Sequence, residues 1–171
     1  MDIFSWLKIG IMVLVSLTVE EIEVNETSVS ALVRAETLLT QEMKDLIEHG
    51  VTIEFELYNS LLLKGKEERF FKKRIYRSIS YDYYREVYAL RSVDDAGVIE
   101  VREFSRYREL DMAVADFGQI VFTYSNDEFD SLSWFSQISL VANKIIEEEL
   151  GQNTESLWDN HRPSVTEERK R

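Results

Sequence analysis

From Val51 to Tyr58 the chain alternates strictly: Val51, Ile53, Phe55 and Leu57 are apolar, while Thr52, Glu54, Glu56 and Tyr58 between them are mostly polar. Strand side chains point to opposite faces with a period of two, so this segment is a strand with one face buried and one wet. An apolar sheet face must be covered by a second layer.

Just upstream, TQEMKDLIEHG (40–50) switches to helical spacing: Thr40 caps, Met43, Leu46 and Ile47 share a face, and Gly50 supplies the left-handed stop. Earlier, Val19–Val24 and Val29–Ala35 form two strands around the polar turn Asn25, Glu26, Thr27. Downstream, Glu67–Ser80 and Tyr83–Ser92 are rich in aromatic and β-branched residues and predict a long hairpin bending at Tyr81 and Asp82. Asp94–Gly97 is a turn, and Val98–Phe104 a further strand. Ser105 is placed to cap a second helix with Leu110, Ala113, Val114 and Phe117 on one face and Gly118 as its stop. Ile120, Phe122 and Tyr124 alternate as a strand, Ser125–Ser131 is a polar loop, and Trp134–Leu150 carries both periods, Ile138, Val141 and Ile145 suiting a helix and Ile138, Leu140 and Ala142 a strand, with strand to about Ile146 and then a helical turn favoured. The fold expected is α+β, mostly antiparallel β, a sandwich or open barrel with two short helices.

A chain of 171 residues suits one domain that needs no metal or disulfide staple. With 44% hydrophobic and 12% aromatic residues it lies far from the composition of disorder. A formal charge of -12 disfavours nucleic acid as a partner. The absence of Cys removes thiolate nucleophiles and cysteine-ligated metals, and one Pro with 6 Gly leaves little for a phosphate loop or linker. No cofactor is implied.

Ile3–Val19 (IFSWLKIGIMVLVSLTV) is apolar apart from Lys8 and a few small or hydroxyl residues. One cation before a short apolar run suits a signal or membrane-anchor segment, although Asp2 and the lack of an A-x-A pattern depart from a cleaved signal. A buried first strand is the competing reading. The domain plan is therefore an apolar signal or anchor at 1–18, a β-rich domain at 19–163 and a polar tail at 164–171.

His49 and His161 stand far apart and in no zinc motif. His49 suits the helix C-terminus, and His161 belongs to WDNHRP (158–163), read as a packed C-terminal clasp. Asn126, Asp127, Glu128 and Asp130 lack the spacing and central Gly of a calcium loop. The marked basic cluster is Lys64, Lys66, Arg69, Lys72, Lys73, Arg74 and Arg77, interleaved with Phe70, Phe71 and Tyr76. Such a mixture can stack bases or meet an acidic partner, or can simply be the charged face and exposed end of a hairpin. Arg69, Phe70, Phe71, Lys72, Lys73, Arg74, Tyr76 and Arg77 are the candidate partner-binding residues; no catalytic or metal residue is assigned.

The order of elements resembles a bacterial family called domain of unknown function 4390. The resemblance rests on the apolar N-terminus, the opening strand pair, LLTQEMKDLIEHGVTIEFELY, FFKKRIYRSISYDYYREVYALRS and REFSRYRELDMAVADFG, and covers roughly residues 19–124. It implies an exported or membrane-associated β-rich domain and gives no residue a role. The function expected is a non-catalytic binding module of the bacterial cell envelope whose partner is an envelope protein or component, with the membrane reached through the N-terminal segment. A carrier of an apolar ligand and a carboxylate-dependent hydrolase are the rivals.

Overall fold

The alternation at 51–57 opens the longest-buried strand of the protein. The computed structural model describes residues 15–125, 129–141 and 163–170. In chain order the elements are β1 (Ser16–Val24), β2 (Ser28–Glu36), α1 (Gln41–Glu48), β3 (Ile53–Lys64), β4 (Arg69–Asp82), β5 (Val87–Asp94), β6 (Ile99–Phe104), α2 (Tyr107–Ala115), β7 (Asp116–Thr123), β8 (Ser131–Leu140) and β9 (Ser164–Lys170). They form a three-stranded sheet, β1-β2-β7, and a six-stranded sheet, β6-β5-β4-β3-β8-β9, with every pairing antiparallel. Neither sheet closes on itself, so the expected α+β fold is a sandwich rather than a barrel.

One core runs between the layers. Ile53, Phe55, Leu57, Leu61 and Leu63 of β3 meet Val29, Ala31 and Val33 of β2, Ile120 and Phe122 of β7, and Leu132, Trp134 and Ile138 of β8. These are the period-two positions, and each such side chain removed from water contributes about 1.5–3 kcal/mol. Asn59 and Ser136 are polar residues within it: Trp134 Nε1 donates to Ser136 Oγ (3.0 Å), which donates to Asn59 Oδ1 (2.6 Å).

The first helix follows its signals. Thr40 Oγ1 accepts from Met43 N (3.2 Å), Met43 and Ile47 are buried, and Gly50 takes φ +89°, the left-handed conformation a side chain would resist. His49 accordingly sits at the helix C-terminus, its Nδ1 2.6 Å from the Asp45 carbonyl.

Four local expectations are corrected. The β4–β5 bend falls at 83–86, beyond Tyr81 and Asp82, because Asp82 Oδ1 accepts from Tyr84 N and Arg85 N and so ties the turn after the strand rather than within it. Ser105 does not cap α2; Arg106 holds that position without a side-chain bond. Gly118 does not stop α2 either, since the helix ends at Ala115 and passes directly into β7. The supposed tail is β9, registered on β8 from Ser131↔Lys170 to Gln137↔Ser164. A sequence without an apolar face can still be an edge strand, because one flank stays wet and Val165 alone of its side chains packs against the core.

At the other end, the 1–18 boundary cuts through a strand: Val15 and Leu17 are buried, and β1 pairs from Ser16↔Glu36 onward. Residues 1–14 lie outside the described residues, as do Asn126–Glu128, the helical turn expected near 147–150 and the WDNHR part of the clasp at 158–162. Strand structure is described to Leu140, and 142–146 lie outside it.

The two sides of the sandwich differ. On one, β1 approaches β9 and Arg169 Nη1 donates to the Ile22 carbonyl. On the other, α2 leads from β6, the edge of the large sheet, to β7, the edge of the small one.

Candidate functional site

All eight candidate residues lie on β4, and the pleat separates them. Strand parity sends Phe70, Lys72, Arg74 and Tyr76 to the outer face and Arg69, Phe71, Lys73 and Arg77 toward the sandwich. The sequence cluster is therefore two surfaces.

Arg77 is not a surface residue at all. It is buried, and its guanidinium donates to three carbonyls where α2 ends: Nη1 to Ala113 O (3.1 Å) and Val114 O (2.6 Å), Nη2 to Asp116 O (2.9 Å). The Phe117 ring centroid lies 4.1 Å from the guanidinium carbon. Burial pushes the group down to about 10, Arg102 adding to the effect while Asp116 and Glu100 oppose it. A cation at a helix C-terminus satisfies the orphan carbonyls and opposes the negative end of the dipole. Arg77 is a structural capping residue for α2. No sequence signal marked it, since the acceptors lie 36–39 residues away.

Phe71 also turns inward, its ring 6.4 Å from that of Phe122, and Lys73 reaches back over the same Phe122 ring at 6.0 Å. Outside, Arg74 lies 3.7 Å from Glu56 and 5.7 Å from the Tyr58 ring, with Tyr76 first and then Glu56 holding its guanidinium in the charged form. Phe70 is 61% exposed. Neither Lys72 nor Lys73 has a carboxylate within 4 Å among the described residues.

The decisive geometry is one of length. β4 pairs with β3 from Arg69 to Ile79, but β5 begins its pairing only at Ile75↔Asp94. The stretch 69–74 is thus an edge, although β4 is an interior strand over its second half. The bond from Arg74 N to Asp95 Oδ2 (2.6 Å) shows which way the backbone points: even-numbered residues of β4 direct N–H and C=O toward the β5 side. Phe70 and Lys72 therefore present their backbone groups to the open flank.

Beside this edge lies a cleft of about 440 Å³ lined by Lys73, Arg74, Ile75, Asp94, Asp95, Ala96, Gln119, Ile120 and Val121. Its floor comes from β7, the edge of the small sheet, so two sheet edges face it. Its carboxylates are already engaged: Asp94 Oδ1 accepts from Ala96 N and Val98 N, and Asp95 from Arg74 N. The cleft is open to an acceptor-rich, extended ligand.

Comparison with family models, with curated proteins and with solved structures gives no match. Among the described residues no group of three or more His, Asp or Glu is placed to hold a metal ion.

Proposed function

We propose that this chain is a non-catalytic binding module of the bacterial cell envelope that takes an extended, acidic segment of a partner protein along the β4 edge at 69–74. The observation that carries the reading is the overhang of β4 past β5, which among the described residues leaves Phe70 and Lys72 with backbone groups on an open flank beside two lysines without a carboxylate within 4 Å. Strand addition of this kind draws affinity from main-chain hydrogen bonds and specificity from alternate side chains. Acidic residues in the added strand would meet Lys72 outside and Lys73 inside, while Phe70 offers apolar area.

The overall charge of -12 opposes an acidic partner at long range, but at 0.15 M salt that field is screened beyond about 8 Å and the local cations decide contact. The filled interior, with Trp134, Phe55 and Leu61 fully buried between the sheets, favours binding at this edge over carriage of an apolar ligand inside. The envelope location rests on the apolar run that precedes and enters β1, and the likeness to the domain of unknown function 4390 family belongs to the same proposal. No helix among the described residues is long and apolar enough to cross a membrane.

The test is an amide-shift titration of the protein with a short synthetic peptide alternating Glu and Val. Shifts should concentrate at Phe70, Lys72 and Lys73, and Lys72→Pro, which deletes an edge N–H without touching the bonds to β3, should abolish them. Saturable shifts unaffected by Lys72→Pro, or their absence up to millimolar peptide, would overturn strand addition at this edge.

A further inference from the structure

The six-stranded sheet ends in β6, which among the described residues pairs only with β5. Its exposure is unusual for a strand with apolar side chains: Ile99 is 56% and Val101 57% exposed, and every residue from Ile99 to Glu103 is exposed. An exposed apolar edge of this kind is ready to pair with another strand unless something prevents it.

Backbone direction can be read from the turn that begins β6. Asp94 N donates to Val98 O (3.3 Å), so the bonded pairs with β5 are Ser92↔Glu100, Leu90↔Arg102 and Tyr88↔Phe104. The intervening residues Ile99, Val101 and Glu103 direct their N–H and C=O groups away from the sheet. Their side chains lie on the outer face with Val93 and Arg91, whereas Glu100 and Arg102 lie on the inner face.

We infer that two copies of this chain join by antiparallel pairing of β6 with β6 about a two-fold axis at Val101, making one sheet continuous through both. In that register Val101 exchanges both backbone bonds with Val101 of the second copy, and Ile99 does so with Glu103, giving about six inter-chain hydrogen bonds. The non-bonded pairs, where side chains approach closest, set Glu100 opposite Arg102 twice. Each edge thus offers its own copy the complementary charge.

Charged residues usually guard an edge against pairing, and here they would repel many strands. Against an identical strand in this register they do the reverse. Within one chain Glu100 and Arg102 already sit 3.4 Å apart, so pairing creates a ring of four alternating charges on the inner face. Glu103 does not intrude on Ile99 across the axis, since Arg85 holds its carboxylate bidentately at 2.6 and 2.7 Å. Few residues are buried, so the association belongs to the weak, concentration-dependent class. It is independent of the β4 edge, which lies on another strand and keeps its open flank in the pair.

Sedimentation equilibrium on the full chain at 0.15 M salt tests this. The wild type should pass reversibly from monomer to dimer with concentration, and Val101→Pro, which removes an outward N–H that β5 does not use, should remain monomeric. Glu100→Arg should weaken the dimer at least about tenfold, because two attractive cross-strand pairs become repulsive, and Glu100→Arg combined with Arg102→Glu should restore it to within about threefold. The swap decides the matter even if the proline variant fails to fold. A monomer at every concentration up to about 1 mM, or a dimer indifferent to single charge reversal, would overturn the inference.

Discussion

Replacing Arg77 by Met separates a structural arginine from a partner-binding one. Three bonds from the guanidinium to the carbonyls of Ala113, Val114 and Asp116 are lost. Bonds involving a charged group contribute about 1.5–3 kcal/mol each, or roughly 4.5–9 kcal/mol together. Opposing this is desolvation: burial lowers the group to about 10, which corresponds to about 3 kcal/mol against the charged form. Met keeps the stem packed and escapes that cost, so the net destabilisation is roughly 2–6 kcal/mol. Urea unfolding followed by tryptophan fluorescence measures it, with a fall in melting temperature of about 5–20 °C as the thermal counterpart. The sign with pH is also fixed. Because the folded value lies below the unfolded one, the unfolded chain binds more protons from about pH 10 upward until the unfolded group also titrates, and this group's contribution to stability rises across that window. The Met variant should lack that rise relative to wild type. Hydrogen exchange should quicken first in α2, whose C-terminal carbonyls lose their partner. A Met variant within about 0.5 kcal/mol of wild type would refute the capping argument.

Thr40→Ala should cost about 1 kcal/mol in denaturant unfolding, by removing the acceptor for Met43 N at the start of α1. Ser136→Ala should cost about 1–3 kcal/mol by the same measurement, since it strands both Trp134 Nε1 and Asn59 Oδ1 inside the core. Ending the chain at Pro163 removes β9 and bares the flank of β8; the truncated protein should be less stable and show concentration-dependent aggregation by light scattering, where loss of a mere tail would change neither. Lys44, and after it Tyr88, hold the Glu48 carboxyl below the usual carboxylate range. The stability this group supplies is therefore present above its unfolded value and lost as pH falls through the lower folded one; Glu48→Gln should flatten that acid limb in pH-dependent unfolding.

Local order was legible wherever a few neighbouring residues determine it. Thr40, Met43, Ile47 and Gly50 specify α1 through a cap, an apolar face and a left-handed stop, all interactions within one or two helical turns. The alternation around Phe55 likewise determines which face of β3 is buried, because the pleat is a property of the strand itself. Where local signals misled, a distant partner had intervened. Gly118 looked like a helix stop, yet α2 is ended by Arg77 on β4, which supplies the terminal bonds a glycine turn would otherwise make. Thr166, Glu167, Glu168 and Arg169 looked like a tail because nothing in a polar run indicates that β8 lies alongside to pair with it.

The candidate site divides in the same way. Its composition, cations interleaved with aromatics, is written in residues 69–77 and needs no structure. The pleat, a property of the strand itself, splits the cluster; which of those residues face a partner was then decided by neighbours, since α2 consumes Arg77 and the late start of β5 opposite Ile75 opens the edge at Phe70 and Lys72. Sequence determined periodicity, the caps of α1 and charge, which depend on near neighbours along the chain. Tertiary structure decided burial and the use of each polar group, because those depend on which distant strand supplies the bond or withholds it.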